Sequence, residues 1–316
     1  MIHRILTAAA LAAVVTTASA TGAAAAGGDI RIDDVRVFPE SLTATADGTV
    51  YTGSIKGIVF RARKGAAFAE PWILPTPDNG LLSIFGVLAE PKSQTLWLCS
   101  SPNALRAPPA VGVASLMAFD LRTGARKAAY PFPAPAAVCN DMTVAKDGAV
   151  FATDTANGRI FVLKPGAKAL ELFAQDDRLK GIDGIVFGGG GTLYLNIVSK
   201  GQLMRVDRGA DGAMTGLTEL KLSQPVAGPD GFRLIAGNRF LLAEGNSGKI
   251  DEVEIKGDEA KITVLKEGLT SPPGVTMAGK TAYATEGKIL YLFDPKLRGQ
   301  DPGAFFVRRI PLPAAH

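Results

Sequence analysis

The sequence predicts an all-β fold, a six-bladed β-propeller, and three observations predict it. One strand-turn-strand phrase returns six times at a spacing that matches one four-stranded blade. Each phrase is built from β formers punctuated by Gly, Asp and Asn. No stretch carries sustained helical periodicity. A sandwich or a barrel would also use short strands and turn signals, but neither needs a repeat of this length.

The copies open near Glu40, Phe85, Asn140, Asp183, Asp230 and Pro273, with successive starts 45, 55, 43, 47 and 43 residues apart. The first (PESLTATADGTVYTGSIKGIVFRA) turns at Asp47-Gly48, a pair that supplies the positive φ of a tight hairpin. The second (FGVLAEPKSQTLWLCSS) keeps the two apolar strands but replaces that turn with Pro91-Lys92-Ser93. The third (NDMTVAKDGAVFATDTANGRIFVL) repeats the first closely, with Asp147-Gly148 at its hairpin. The fourth (DGIVFGGGGTLYLNIVSKGQLMRV) turns through a run of glycines, and the fifth (DGFRLIAGNRFLLAEGNSGKIDEV) through Gly237-Asn238. The sixth (PGVTMAGKTAYATEGKILYLF) places the apolar run Ile289 to Phe293 where the other copies have a third strand. Gly53, Gly57, Gly158, Gly201 and Gly248 mark the turns that follow the second strands.

Composition narrows the class. The 316 residues are 47% hydrophobic and 20% charged, with 36 Gly and 20 Pro, which excludes a disordered, collagen-like or coiled-coil chain. Residues 1–20 read as a secretory signal: Arg4, an apolar stretch from Ile5 to Val15, then Ala18-Ser19-Ala20. A second cleavage point follows Ala24-Ala25-Ala26, so the signal is 1–20 or 1–26 and 27–316 is one propeller domain. An uncleaved membrane anchor is the competing reading, disfavoured by the short, Ala-rich stretch. A periplasmic or secreted monomer with no membrane span is expected. The net charge of +4 falls to +3 without residues 1–20, and the basic residues are scattered, so no nucleic-acid partner is expected.

Cys99 and Cys139 are the only cysteines, and either a disulfide or two buried thiols fits their apolar surroundings. The only histidines are His3 and His316. That excludes Ser-His-Asp and Cys-His catalysis and histidine-rich zinc sites from the body of the chain.

The candidate site emerges from register. Glu40 to Tyr51, Asn140 to Phe151, Asp183 to Tyr194 and Asp230 to Leu241 are each 11 residues apart. Equivalent positions in a propeller are related by rotation about its axis, so these four side chains converge on the central channel. Three carboxylates in a confined space must take up protons unless a cation sits among them. Oxygen ligands without His or Cys favour Ca²⁺, with Mg²⁺ and Mn²⁺ as alternatives. The competing reading makes Asp183-Gly184 and Asp230-Gly231 ordinary turn formers, although Glu40 and Asn140 keep the register without a following Gly. Asp47 and Asp147 read as turn residues. Glu244, Asn246 and Glu286, late in their blades, read as solvated loop residues.

The order Pro39-Glu40, Asn140-Asp141, Ile182-Asp183-Gly184 and Pro229-Asp230-Gly231 resembles the metal-site pattern of the regucalcin and gluconolactonase (LRE-like) family of six-bladed propellers, with paraoxonases more distant. The resemblance spans roughly residues 34–295. It implies one divalent cation, Ca²⁺ or Zn²⁺, in the central tunnel and hydrolysis of a small lactone. Glu40, Asn140 and Asp230 match the family's Glu, Asn and Asp, while Asp183 falls where the family usually has Asn. The expected mechanism has the cation polarise the carbonyl while Asp230 activates water as the catalytic base. An exported binding propeller with a structural cation and a strictosidine-synthase-like or lyase-type enzyme are the alternatives.

Overall fold

The computed structural model describes residues 28–106 and 108–312. The export signal expected at 1–20 or 1–26 lies outside the described residues. The described chain is almost entirely β: one 3₁₀ turn (Asp177–Leu179) and one four-residue helix (Leu290–Phe293) are the only helical elements among those residues.

Six antiparallel blades follow one another in sequence. Their innermost strands are Pro39–Ala44, Ser83–Glu90, Cys139–Val144, Ile182–Phe187, Pro229–Ala236 and Val275–Ala278, the six repeat openings read from the sequence. Within each blade the chain steps outward by hairpins, as in the third blade, where Cys139–Val144, Val150–Asp154, Arg159–Leu163 and Glu171–Gln175 pair in order. The hairpin glycines behave as their neighbours require, with Gly48 at φ 83° and Gly148 at φ 90°. Asp47 and Asp147 are turn residues that accept the backbone N–H two positions on.

The ring closes with a strand the repeats did not contain. Ile30–Ile32 pairs antiparallel with Phe305–Pro311 as the outer strand of the sixth blade, and also runs parallel to the outer strand of the first (Arg31↔Phe68). Strands near the two ends of the described residues thus meet inside one blade and tie it to its neighbour, so opening the ring requires breaking strand pairing.

Two local readings are corrected. Ile289 to Phe293 is not a third strand: it forms the short helix of an excursion, and Phe305–Pro311 takes the strand position. The excursion is held by Lys288, whose Nζ donates to the carbonyls of Pro302 and Ala304. Gly53 is not a turn residue either. It lies inside Val50–Ser54, where a Cβ would stand 2.4 Å from Ile84 Cγ2 of the next blade. Gly57, Gly158, Gly201 and Gly248 do turn the chain at positive φ.

The core lies between blades. The aromatic in the repeated eleventh position is the contact residue: Phe151 packs edge-on against Phe187 at 5.3 Å, and Tyr194 against Phe240 at 5.4 Å. Cys99 and Cys139 form a disulfide, Cα to Cα 5.1 Å, between the second strand of the second blade and the innermost strand of the third.

Candidate metal centre in the central tunnel

In five of the six innermost strands the ladder slips by one residue at the same place. Pro39↔Ser54 is followed by Leu42↔Thr52, Ile84↔Ser100 by Val87↔Leu98, Cys139↔Asp154 by Met142↔Ala152, Ile182↔Ile197 by Ile185↔Leu195, and Pro229↔Glu244 by Phe232↔Leu242. Each slip is a β-bulge that sets two residues against one and re-aims the first. The residues at these bulges are Glu40, Phe85, Asn140, Asp183 and Asp230. Alternation alone would return the next axis-facing residue two positions on, but the extra residue makes it three. The second ring of the tunnel is accordingly Thr43, Leu88, Thr143, Val186, Arg233 and Thr276.

The structure brings three of the four candidate residues directly together. One carboxylate oxygen from each of Glu40, Asp183 and Asp230 lies within 4.8 Å of the other two. Asn140 joins them by donating from Nδ2 to Asp183 Oδ2 at 2.9 Å. Its Oδ1 is buried and has no hydrogen-bond partner. Glu40, Asn140 and Asp183 are buried, and Asp230 is the most accessible of the four.

Burial and mutual repulsion set the electrostatics, as the sequence reading of crowded carboxylates expects. Burial, then the charges of Asp230 and Asp183, push Glu40 well above the usual carboxylate range. Burial and the Asp141 charge push Asp183 up to about 7, against the hydrogen bonds from Asp230 and Asn140. Asp230 is raised well above its ordinary value by burial first and Asp183 second. Without a cation the cluster therefore holds protons near neutral pH. A buried amide oxygen without a donor beside three carboxylates is the donor set of a hard divalent cation, and the residues present fit one.

The glycines after Asp183 and Asp230 are not turn formers. Both lie within strands, and a Cβ on Gly184 would come within 2.4 Å of Asp230 O, one on Gly231 within 2.9 Å of Pro273 O. Gly86 meets Asn140 O and Gly274 meets Glu40 O in the same way. Four glycines one place after the ring residues let neighbouring inner strands approach at the axis. Asn196 braces the same region, accepting from Gly184 N at 3.1 Å and donating to Asp230 O at 2.5 Å.

Sequence reasoning missed the ion pair beneath the ring. Arg233, in the fifth blade, reaches Asp141 of the third and binds both its oxygens at 2.7 Å, while Ile185 N donates to Asp141 Oδ2 at 3.2 Å. The signal available was a lone arginine at the second-ring position of an apolar inner strand. Glu244 and Glu286 are also corrected: neither is solvated, with relative exposures of 1% and 5%. Glu244 accepts from Ala227 N and Ser247 Oγ, and Glu286 from Thr270 N and Arg308. Asn246 is exposed, as expected.

No family model matches the sequence, and no curated protein matches it. Solved structures do match in fold. A calcium-binding protein, regucalcin, from Agrobacterium tumefaciens is 15% identical with a TM-score of 0.61, covering 91% of this chain and 95% of that one. A candidate gluconolactonase is 16% identical with a TM-score of 0.63, covering 92% and 95%. A catalytically inactive histidine-to-alanine variant of virginiamycin B lyase from Staphylococcus aureus is 18% identical with a TM-score of 0.59, covering 87% and 80%. These likenesses identify the fold as that of the propellers the sequence motifs resemble.

Proposed function

We propose that the protein is a metal-dependent hydrolase of small lactones. The observation that carries this reading is the convergence of Glu40, Asp183 and Asp230 within 4.8 Å beside the unpartnered amide oxygen of Asn140. Glu40, Asn140, Asp183 and Asp230 would hold one divalent cation, Ca²⁺ by the hardness of the donors. When bound, the cation supplies Lewis-acid polarisation of a carbonyl oxygen and charge stabilisation for an oxyanion.

The chain's own residues supply the rest. Asp230 is the ring carboxylate open enough to meet a water, which it would activate as general base. Asn140 orients Asp183 through its amide. No nucleophilic side chain is required, in keeping with the absence of histidine between His3 and His316. A lyase chemistry like that of virginiamycin B lyase is disfavoured on the same ground, because replacing a histidine in that enzyme inactivates it.

The test is a panel of sugar, aliphatic and acyl-homoserine lactones assayed with Ca²⁺, Zn²⁺, Mg²⁺ or Mn²⁺ and with chelator. Chelator-sensitive hydrolysis of at least one lactone is expected. No hydrolysis under any metal, combined with a melting temperature that chelator lowers, would replace the enzyme by a binding propeller with a structural cation. The same reading takes the protein to be exported, supported by the disulfide, which persists in oxidising compartments. N-terminal sequencing of protein from the producing cell should begin at Thr21 or Gly27, and an intact Met1 on soluble cytoplasmic protein would overturn export.

A further inference from the structure

The tunnel has a second mouth. On the face opposite the carboxylate ring, the inner-strand ends and their hairpins enclose a cavity of about 1010 Å³, and its floor is the second ring. None of the four candidate metal residues lines it. Three threonines, Thr43, Thr143 and Thr276, and Arg233 bring polar groups to that floor, while Leu88 and Val186 complete it. Met142, Leu234 and Met277 make the adjoining wall apolar. With Arg233 paired to Asp141, the charged residues left around it are Lys92, Lys146 and Arg208 against Glu90 and Asp147, so the lining keeps a small excess of positive charge.

Arg233 is the informative member. At 9% exposure it is buried, and Asp141 engages only its two terminal nitrogens. Nη1 spends its second N–H on Phe232 O at 2.9 Å. Nε has no partner among the described residues but is closed off from solvent, and Nη2 keeps one N–H that Asp141 does not use. A guanidinium has five N–H groups, and the outer N–H of Nη2 is the one left for a ligand of the cavity that Arg233 lines. A structural arginine serving only Asp141 would not need a cavity of this size against it, and an apolar cavity would not need the arginine.

We propose that this far vestibule is a second ligand site, for a small organic anion: a monocarboxylate with an apolar tail. The carboxylate lies against Arg233 and the threonine hydroxyls, and the tail against Leu88, Leu234 and Met277. The lysines and Arg208 toward the rim draw the anion in. The site shares no lining side chain with the cation ring and does not use the proposed hydrolysis.

The test is calorimetric titration of the full chain with sodium octanoate, 1-octanol and inorganic phosphate, each with and without chelator. Saturable one-site binding of octanoate, tighter than either comparator and retained in chelator, is the expected result. Arg233→Lys should weaken it by roughly 10- to 100-fold, the loss expected for charge-assisted hydrogen bonds. Because that change disturbs a buried ion pair, Leu88→Trp provides the second variant: it narrows the vestibule where the tail lies, away from Arg233, and should weaken octanoate binding while the chain still melts cooperatively. Absence of octanoate binding at millimolar concentration, equal binding of octanol or phosphate, loss of binding on chelation, or an unchanged affinity in Leu88→Trp would each overturn the proposal.

Discussion

At the scale of single residues, the proposed hydrolysis assigns Asp183 and Asp230 different work. Asp183 is tied to Asn140 at 2.9 Å, whereas Asp230 is the accessible carboxylate. Asp230→Asn keeps an oxygen donor of the same shape but removes basicity, so hydrolysis should fall by roughly 10²- to 10⁴-fold while cation affinity falls less. Asp183→Asn removes one negative charge from the ligand set, leaving the cation a stronger Lewis acid. It should weaken cation binding and leave hydrolysis intact or raise it. Calorimetry for the cation and initial rates for the lactone separate the two variants, and equal loss of both quantities in both variants would refute the division of labour. The register of these residues was legible because a repeat makes rotationally equivalent positions visible in one dimension. The partnership of Asp141 with Arg233 was not, because the two stand 92 residues apart in sequence and meet only across the tunnel.

At the scale of elements, an acidic residue at or just after the end of a second strand recurs as a cap for the loop before its blade. Asp154 accepts from Val138 N at 3.0 Å, Glu244 from Ala227 N, and Glu286 from Thr270 N. Two of the three have arginines: Arg159 beside Asp154 and Arg308 beside Glu286. In the fifth blade the neighbour is Asp251, fully buried, with both its oxygens lacking donors. Burial, then the hydrogen bond and charge of Glu244, push Asp251 up to about 8. Its folded proton affinity exceeds the unfolded one, so its stabilising contribution is complete below pH 4 or so and is lost as pH rises toward about 8. Asp251→Asn can still donate to Glu244 and carries no charge. Urea denaturation should therefore show a stability gain over wild type that is larger at pH 8 than at pH 5, and a pH-independent difference would contradict this. The same scale explains the glycines: Gly184 and Gly231 looked like turn residues because Asp-Gly is a turn pair, but the neighbouring strand's carbonyl is what forbids a side chain.

At the scale of the whole molecule, two devices keep the ring shut. The closing strand Ile30–Ile32 joins the sixth blade to the first, and the Cys99–Cys139 disulfide joins the second to the third. The disulfide spans 40 residues and adjoins Asn140, so it constrains the unfolded chain and anchors one side of the site. Reduction, or the Cys99→Ala and Cys139→Ala double variant, should cost about 2–4 kcal/mol in urea unfolding. The same variant should weaken cation binding, because the bulge that aims Asn140 starts at Cys139. Unchanged stability would mean the interblade packing alone holds that seam. Among the described residues no helix is long and apolar enough to cross a membrane.

The sequence by itself determined the number of blades, their innermost strands and the four residues that face the axis near one mouth of the tunnel. Those features are periodic, and periodicity is a one-dimensional property. It left the two cysteines open, missed the strand from the other end of the chain that closes the sixth blade, and read Ile289 to Phe293 as that blade's third strand. Only the tertiary structure decided these, together with the Asp141–Arg233 pair, the burial of Glu244 beside Asp251 and the vestibule beneath the second ring. Each arises from segments distant in sequence that meet across the axis or at a blade seam, where local preference has no bearing on which partner is met.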